Sequence, residues 1–280
     1  MIFDFLRRKG KQLAKAEMSF FDHIDALRGH LFRSVLAIFI LSIVFFSNKH
    51  FLFDVIVLGP KSPHFITYQW FCWLGEKLNM DSLCISSIDY KLRFQNMSST
   101  FFIHLKVAFV MGVIFAFPYI LWEIWRFVAP ALYNKEKRNF TGVVFMGSFL
   151  FYLGCAFGYL LIAPFSLNFL GTYQLSDQVQ NDFSFDSYLD IMTGLVFWTG
   201  LIFEIPMIAY FLAKLGILTT AFMHKSRKYA IVISLILAAI ITPSADMFSQ
   251  TLVALPLWLL YEFSILVVWR QERKKRRAES

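Results

Sequence analysis

Six apolar runs govern what this sequence can become, at about residues 31–47, 104–128, 141–163, 188–212, 229–242 and 251–269. A helix needs roughly 17–25 mostly apolar residues to cross a bilayer. The fifth and sixth runs are short, so with the loop 243–250 they are expected to form a hairpin that only just spans, or that sits where the bilayer thins. Composition agrees with membrane residence: 58% of the residues are hydrophobic and 16% are charged, against about 25% charged in soluble domains. The expectation is an all-α integral membrane protein with one domain over 1–280. It divides into a cytoplasmic amphipathic segment (1–30), a six-helix bundle (31–269) with a long loop (48–100), and a basic tail (270–280). Spans and short connectors take nearly all the chain and leave no room for a separate soluble enzyme domain. Arg7, Arg8 and Lys9 precede further polar residues and no small-x-small site follows the first run, so that run is expected to be retained rather than cleaved.

Charge sets the expected orientation, because short cytoplasmic loops collect Lys and Arg. Basic residues lie before the first run (Arg7, Arg8, Lys9, Lys11, Lys15, Arg28), between the second and third (Lys135, Lys137, Arg138), between the fourth and fifth (Lys214, Lys225, Arg227, Lys228) and after the sixth. Loops 164–187 and 243–250 hold no Lys or Arg, and their charges are Asp177, Asp182, Asp186 and Asp246. Both termini are therefore expected in the cytoplasm. The net charge of +8 follows from this topology and from contact with anionic lipid; no basic surface interleaved with aromatics suggests nucleic acid. Cys72 and Cys84 share the long loop, where an oxidising compartment permits a disulfide; the alternative is two thiols. No Cys/His spacing resembles a zinc site, and no metal or cofactor is expected.

The informative residues in a span are those that cost energy to place. A carboxylate at a helix centre costs about 2.5–3.5 kcal/mol, so it faces a partner, a cavity or water. Glu204 lies in GLIFEIPMIAYF (200–211), two residues before Pro206. Proline frees a carbonyl near residue 202, which predicts a kinked helix with a carboxylate at the kink. That carboxylate either makes a polar notch in the membrane or holds helices together. Whether Lys106 approaches the same cavity is open. In FPYILWEIWRFVAPALYNKEKR (117–138), Pro118 is expected to bend the helix and Pro130 to end it. Glu123 and Arg126 are spaced to pair, and Glu136 sits among Lys135, Lys137 and Arg138. In FFDHIDALRGHLFRS (20–34), Phe20, Ile24, Leu27 and Leu31 share a face, while His23, Arg28 and His30 fall elsewhere. This predicts an amphipathic helix at the interface that then turns into the bilayer. In ITPSADMFSQTLVALP (241–256), Asp246 is placed to cap the last helix. Thr242 and Gln250 are interhelical hydrogen-bond formers, and Pro256 is expected to break the helix.

In order along the chain, HIDALRGHL, FFIHLK, FPYILWEIWRFVAPALYNKEKR, FYLGCAFGYLLIAPFSLNFL, FEIP and TPSADMFSQTLVALP together resemble the TatC family, the multispan subunit of the twin-arginine protein translocase. The resemblance implies a concave, glove-like bundle of six kinked helices, the last two short, in the bacterial cytoplasmic (inner) membrane. It implies a receptor for twin-arginine signal peptides of folded cargo proteins, acting in an oligomeric complex with TatA- and TatB-type single-span subunits and driven by the proton-motive force. By motif, Glu136 matches the family's acid that meets the arginine pair, with Phe127, Pro130 and Leu132 flanking it. A carboxylate takes a guanidinium bidentately, which favours Arg over Lys. His23 and Arg28 match the N-terminal motif. Glu204 matches the family's buried glutamate facing the concave pocket, Thr242 and Gln250 match positions where partner helices dock, and Asp246 matches the acid of the last extracytoplasmic turn. The chain departs from the family where Glu is usual: Ala26 stands there, with Asp25 one position earlier. Its first loop is also longer than the family norm.

Beside this reading stand two others. An intramembrane enzyme would need a catalytic constellation, and no nucleophile with a base or phosphate loop is present. A proton-coupled small-solute transporter would use Glu204 as proton carrier, but few polar groups accompany it and no internal repeat is visible.

Overall fold

The computed structural model describes residues 20–62, 65–78, 92–94, 99–128, 140–172, 183–242 and 247–279. These residues are helical apart from turns and one two-residue strand pair. Five helical stretches are long and apolar enough to cross a membrane: Asp25–Ser47, Ser99–Val128, Thr141–Thr172, Phe185–Lys214 and Val253–Arg277.

Helix α1 (Phe20–Ser47) is unbroken, so the expected turn between an interfacial helix and the first span does not occur. Its seam with α3 (Ser99–Val128) accounts for this, because the two helices pack against each other extensively. The seam is close: a Cβ on Gly112 of α3 would lie 2.2 Å from Ser42 Oγ and 2.9 Å from the Ser42 backbone nitrogen. Small residues permit such backbone approach between helices in lipid. Helix α3 runs through Pro118 to Val128, and Pro130, expected to end it, lies outside the described residues.

After α1 the chain makes a π-helical turn (Phe51–Val57), a 3-10 turn (Gly59–Lys61) and helix α2 (Ile66–Leu78). Three tyrosine hydroxyls hold these turns by donating to backbone carbonyls: Tyr159 to Ile56 at 2.7 Å, Tyr188 to Val57 at 2.7 Å and Tyr68 to Pro60 at 2.8 Å. Burial pushes the Tyr68 phenol up to about 12, which keeps it a donor.

Helix α4 (Phe140–Phe157) passes through a π-helical segment (Gly158–Ile162) into α5 (Ala163–Thr172). The rod thus extends beyond the apolar run at 141–163. Pro164 has no N–H to give the Leu160 carbonyl; the Thr67 hydroxyl of α2 donates to that oxygen instead. Strand β1 (Leu92–Arg93), from the long loop, pairs in parallel with β2 (Phe183–Ser184), which leads into α6 (Phe185–Ile202).

Two helices follow the break after α6: α7 (Ile205–Lys214) and α8 (Thr220–Ile241). Helix α8 falls outside the five membrane-length stretches. Its first turns carry His224, Lys225, Arg227 and Lys228, leaving only the end from Tyr229 apolar. Helix α9 (Met247–Glu279) is not short: it has 33 residues, continues through Pro256 and takes residues 270–279 into the helix. Packing on α7 and α8 holds it, and two polar ties fix its far half. Arg227 donates to Glu262 at 2.7 Å, and Glu272 accepts from the Thr220 backbone at 2.9 Å and the Thr220 hydroxyl at 2.7 Å.

The largest buried apolar cluster joins α1, the π-helical turn, α3, α5, α6, α8 and α9 through Phe45, Leu52, Val107, Leu167, Leu189, Ala238 and Leu257. Smaller clusters, such as Trp125 with Val144 and Met207, lie toward the other end of α3.

Candidate functional site

Glu123 sits in the last two turns of α3 and is 1% exposed. Four side chains reach it. His30 of α1 donates from Nδ1 to Oε2, and Tyr119, one turn back, donates to Oε1 at 2.9 Å. Arg126 Nη1 lies 3.5 Å from Oε1 and Arg33 Nη1 lies 3.8 Å from Oε2. The expected Glu123–Arg126 pair is therefore present, inside a larger cluster that bridges two helices. Both arginines are half exposed, so they carry their charge to the surface while Glu123 anchors them. Phe127 turns an edge to the His30 ring at 6.1 Å between centroids. The cluster thus fixes the end of α3 that leads into residues 129–139.

Glu204 forms the other polar point. Helix α6 stops at Ile202 and α7 starts at Ile205, so the expected kink is a break at Phe203–Glu204. The break is bridged by backbone bonds: Glu204 N donates to Leu201 O at 3.1 Å, and the Glu204 carbonyl accepts from Met207 N and Ile208 N, each at 2.9 Å. The side chain is 7% exposed. Its Oε1 is buried with no hydrogen-bond partner among the described residues. Gly147 of α4 makes the room: a Cβ there would stand 3.4 Å from Glu204 Oε2 and 2.6 Å from Leu121 Cδ2. The carboxylate therefore points into the bundle, toward α4 and α3. Lys106 does not join it; its ammonium meets Asp190 of α6.

The remaining sequence-derived positions divide into three groups. Glu136, Leu132, Pro130, Asp246 and Cys84 lie outside the described residues, as does the side chain of His23. Asp25 and Arg28 are exposed on α1, on a different side from His30 and Arg33. Thr242 is buried and its hydroxyl donates back to Ala238 O at 2.8 Å. Gln250 crosses the hairpin, its amide donating to Leu235 O of α8 at 3.2 Å. Gln250 thus ties α9 to α8, while the Thr242 hydroxyl is engaged within its own helix. Cys72 is disulfide-bonded and Cys155 is a free, buried thiol. Among the described residues no three His, Cys, Asp or Glu side chains converge as a metal site would require. The residues that sequence reasoning missed are His30 and Arg33. Glu123 and Arg126 carry a visible three-residue spacing, but their partners lie about ninety residues away, and no local pattern joins them.

The family model described as "Sec-independent protein translocase protein (TatC)" matches residues 22–256. The chain is 38% identical over 263 residues to the Sec-independent protein translocase protein TatC of Blattabacterium sp. subsp. Periplaneta americana, covering 93% of this chain and 98% of that one. It is 34% identical over 247 residues to the TatC protein of Desulforapulum autotrophicum, covering 88% and 83% respectively. Among solved structures it is similar to one described as the twin arginine translocase receptor TatC, with a TM-score of 0.66 at 31% identity over 89% of this chain and 99% of that chain. A second crystal structure of that receptor, in DDM, gives a TM-score of 0.68 at 32% identity. On the family match and on this extent of likeness, the chain belongs to the TatC family of Sec-independent protein translocase proteins.

Proposed function

We propose that this translocase component is the signal-peptide receptor and core scaffold of a twin-arginine translocase, exporting folded proteins across the bacterial cytoplasmic membrane at the expense of the proton-motive force. The observation that carries the reading is the likeness, over 89% of the chain, to a structure described as the twin arginine translocase receptor. The charge pattern supports both termini in the cytoplasm, with α8 as the sixth crossing beside the five membrane-length stretches, and the helices form a concave glove.

In this reading Glu136 takes the guanidinium pair of the signal peptide, with Phe127, Pro130 and Leu132 beside it and His23, Asp25 and Arg28 on α1 completing the surface. The His30–Glu123 cluster supports it by fixing the last turns of α3, directly before residues 129–139. Glu204 supplies an unsatisfied polar group within the bundle for a later step. TatA- and TatB-type single-span partners dock on α8 and α9 near Thr242 and Gln250, where Ile233, Ile236 and Ile240 of α8 are exposed. Asp246 closes the extracytoplasmic turn, and Cys84 is the partner of Cys72. The role is transport without catalysis, and no observation favours a solute transporter.

The test is binding of a labelled signal peptide to the purified protein in detergent, comparing an Arg-Arg pair with a Lys-Lys pair. Preference for Arg-Arg that Glu136→Ala removes is the expected result. Equal binding of both peptides by folded protein would withdraw the receptor assignment.

A further inference from the structure

The long first loop has no role in the function proposed above, yet it supplies most of one cavity. The cavity has a volume of about 470 Å³, within the roughly 300–1,000 Å³ usual for small-molecule sites. It lies where α1 ends and α3 begins. Lys49 stands two residues past the end of α1, and Lys61 closes the 3-10 turn; both line the cavity. No acidic side chain lines it among the described residues. Lys49 makes no ion pair with any of them.

The rest of the wall is mainly apolar and aromatic. Phe185 lies 5.1 Å from Phe94 and 6.3 Å from Phe53, between ring centroids. The ring of His104 stacks on Phe46 at 4.0 Å and meets Phe53 edge-on at 5.4 Å. His104 lines the cavity, and its Nε2 is buried with no hydrogen-bond partner among the described residues. The other ring nitrogen donates to the Phe46 carbonyl, so in the neutral ring Nε2 is an acceptor. A buried acceptor without a partner calls for one, and a head-group hydroxyl inside the cavity would donate to it.

From this arrangement we infer that the cavity binds an anionic amphiphile. The phosphate sits on Lys49 and Lys61, a hydroxyl of the head group donates to His104 Nε2, and the acyl chain lies along Phe53, Phe94 and Phe185. Two features separate this ligand from a free anion. The aromatic wall offers a phosphate ion nothing, whereas it matches an acyl chain in chemistry. The site also stands at the ends of two membrane-length helices, where lysines lay their stems on apolar surface and keep their amines at head-group level. The site gives the elongated loop a role: it is held against the bundle by a ligand drawn from the bilayer.

The test uses the purified full-length protein in neutral maltoside detergent. Native mass spectrometry follows binding of diacyl phosphatidylglycerol, of phosphatidylcholine with the same chains, and of inorganic phosphate. Phosphatidylglycerol is expected to bind more tightly than the other two. The double variant Lys49→Gln/Lys61→Gln should lose about thirtyfold in affinity for it, from two lysines near an anionic head. Lys77→Gln, a lysine that does not line the cavity, should lose nothing. Thr100→Trp adds bulk to the cavity wall and should weaken phosphatidylglycerol while leaving any phosphate binding intact. Equal binding of the two lipids by the wild-type protein overturns the proposal without recourse to any variant. Phosphate competing as well as the lipid, with Thr100→Trp silent, also overturns it by showing a simple anion site.

Discussion

Glu123 and Glu204 are both buried glutamates in a bundle whose outer surface is apolar, and their surroundings are opposite. Glu123 lies under His30, Tyr119, Arg126 and Arg33, drawn from two helices. Glu204 lies at a helix break over Gly147, with one carboxylate oxygen buried and unpaired. A carboxylate costs about 2.5–3.5 kcal/mol to place in lipid at a helix centre; Glu204 lies inside the Phe185–Lys214 stretch and Glu123 nearer the end of α3. In the first case hydrogen bonds and charges on the neighbouring helix offset it, and the residue ties α1 to α3. In the second no protein atom among the described residues offsets it, so stability does not account for the residue. A buried polar group retained without a stabilising partner points to function.

Substitutions can break that contrast, and the largest effect is expected at Glu123. Glu123→Ala leaves a partly buried His30 nitrogen without its acceptor and removes the tie across the α1–α3 seam. Because Arg33 and Arg126 are half exposed and rehydrate, the expected loss is about 2–3 kcal/mol rather than the full cost of an orphaned buried pair. Unfolding in mixed micelles with a denaturing detergent measures it. A variant as stable as the parent would show that the cluster is ornamental to the fold.

Next comes the seam itself. At Gly112 the atoms a Cβ would meet include the Ser42 backbone nitrogen at 2.9 Å and the Ile38 carbonyl at 3.0 Å. Backbone cannot swing aside as a side chain does, so Gly112→Val must push α1 away from α3. A loss of about 2 kcal/mol is expected, and an engineered cross-link across the seam near Ser42 should form more slowly. At Gly147 the nearest atom is instead the end of Leu121, at 2.6 Å, with the Glu204 carboxylate next at 3.4 Å. The leucine can turn, and alanine recovers up to about 1 kcal/mol of helix propensity over glycine. Gly147→Ala should therefore change stability by less than about 1 kcal/mol in the same unfolding assay. A larger loss would mean that the Glu204 pocket is as tightly packed as the seam.

The contrast between the two glutamates was half visible in the sequence. A lone glutamate beside Pro206 in an apolar run announces itself, because nothing nearby in the chain can pair with it. Glu123 announces only Arg126; His30 and Arg33 arrive through tertiary packing, and one helical turn of error in aligning α1 with α3 would have named different partners. The same limit governs the fold. The apolar runs located the spans because lipid demands apolar length. They did not locate helix ends, which depend on distant partners: α8 begins at Thr220 where Glu272, on α9, holds its first N–H. The α4–α5 rod continues past Pro164 because Thr67 of another helix takes the carbonyl that proline leaves free. Basic residues after Trp269 marked the end of a span but not of a helix, since a solvated helix end tolerates charge that lipid rejects.

The smallest stability effect, and the one that most sharpens the comparison, belongs to Glu204. Glu204→Gln keeps size and shape and removes the ionisable group. Since the buried Oε1 has no partner to lose among the described residues, stability should stay within about 0.5 kcal/mol of the parent, or rise. Glu204→Met, apolar and of similar volume, should be at least as stable. Signal-peptide binding should survive in both, because Glu204 lies outside the proposed signal-peptide surface. Export of folded cargo should fall in both, and further in the methionine variant, which cannot hydrogen bond. Export unchanged in stable Glu204→Met protein would make the residue dispensable and leave its buried, unpaired oxygen without a functional reason. A marked loss of stability in Glu204→Gln would instead show that the carboxylate is held by a contact with residues outside those described, and the two glutamates would then be alike.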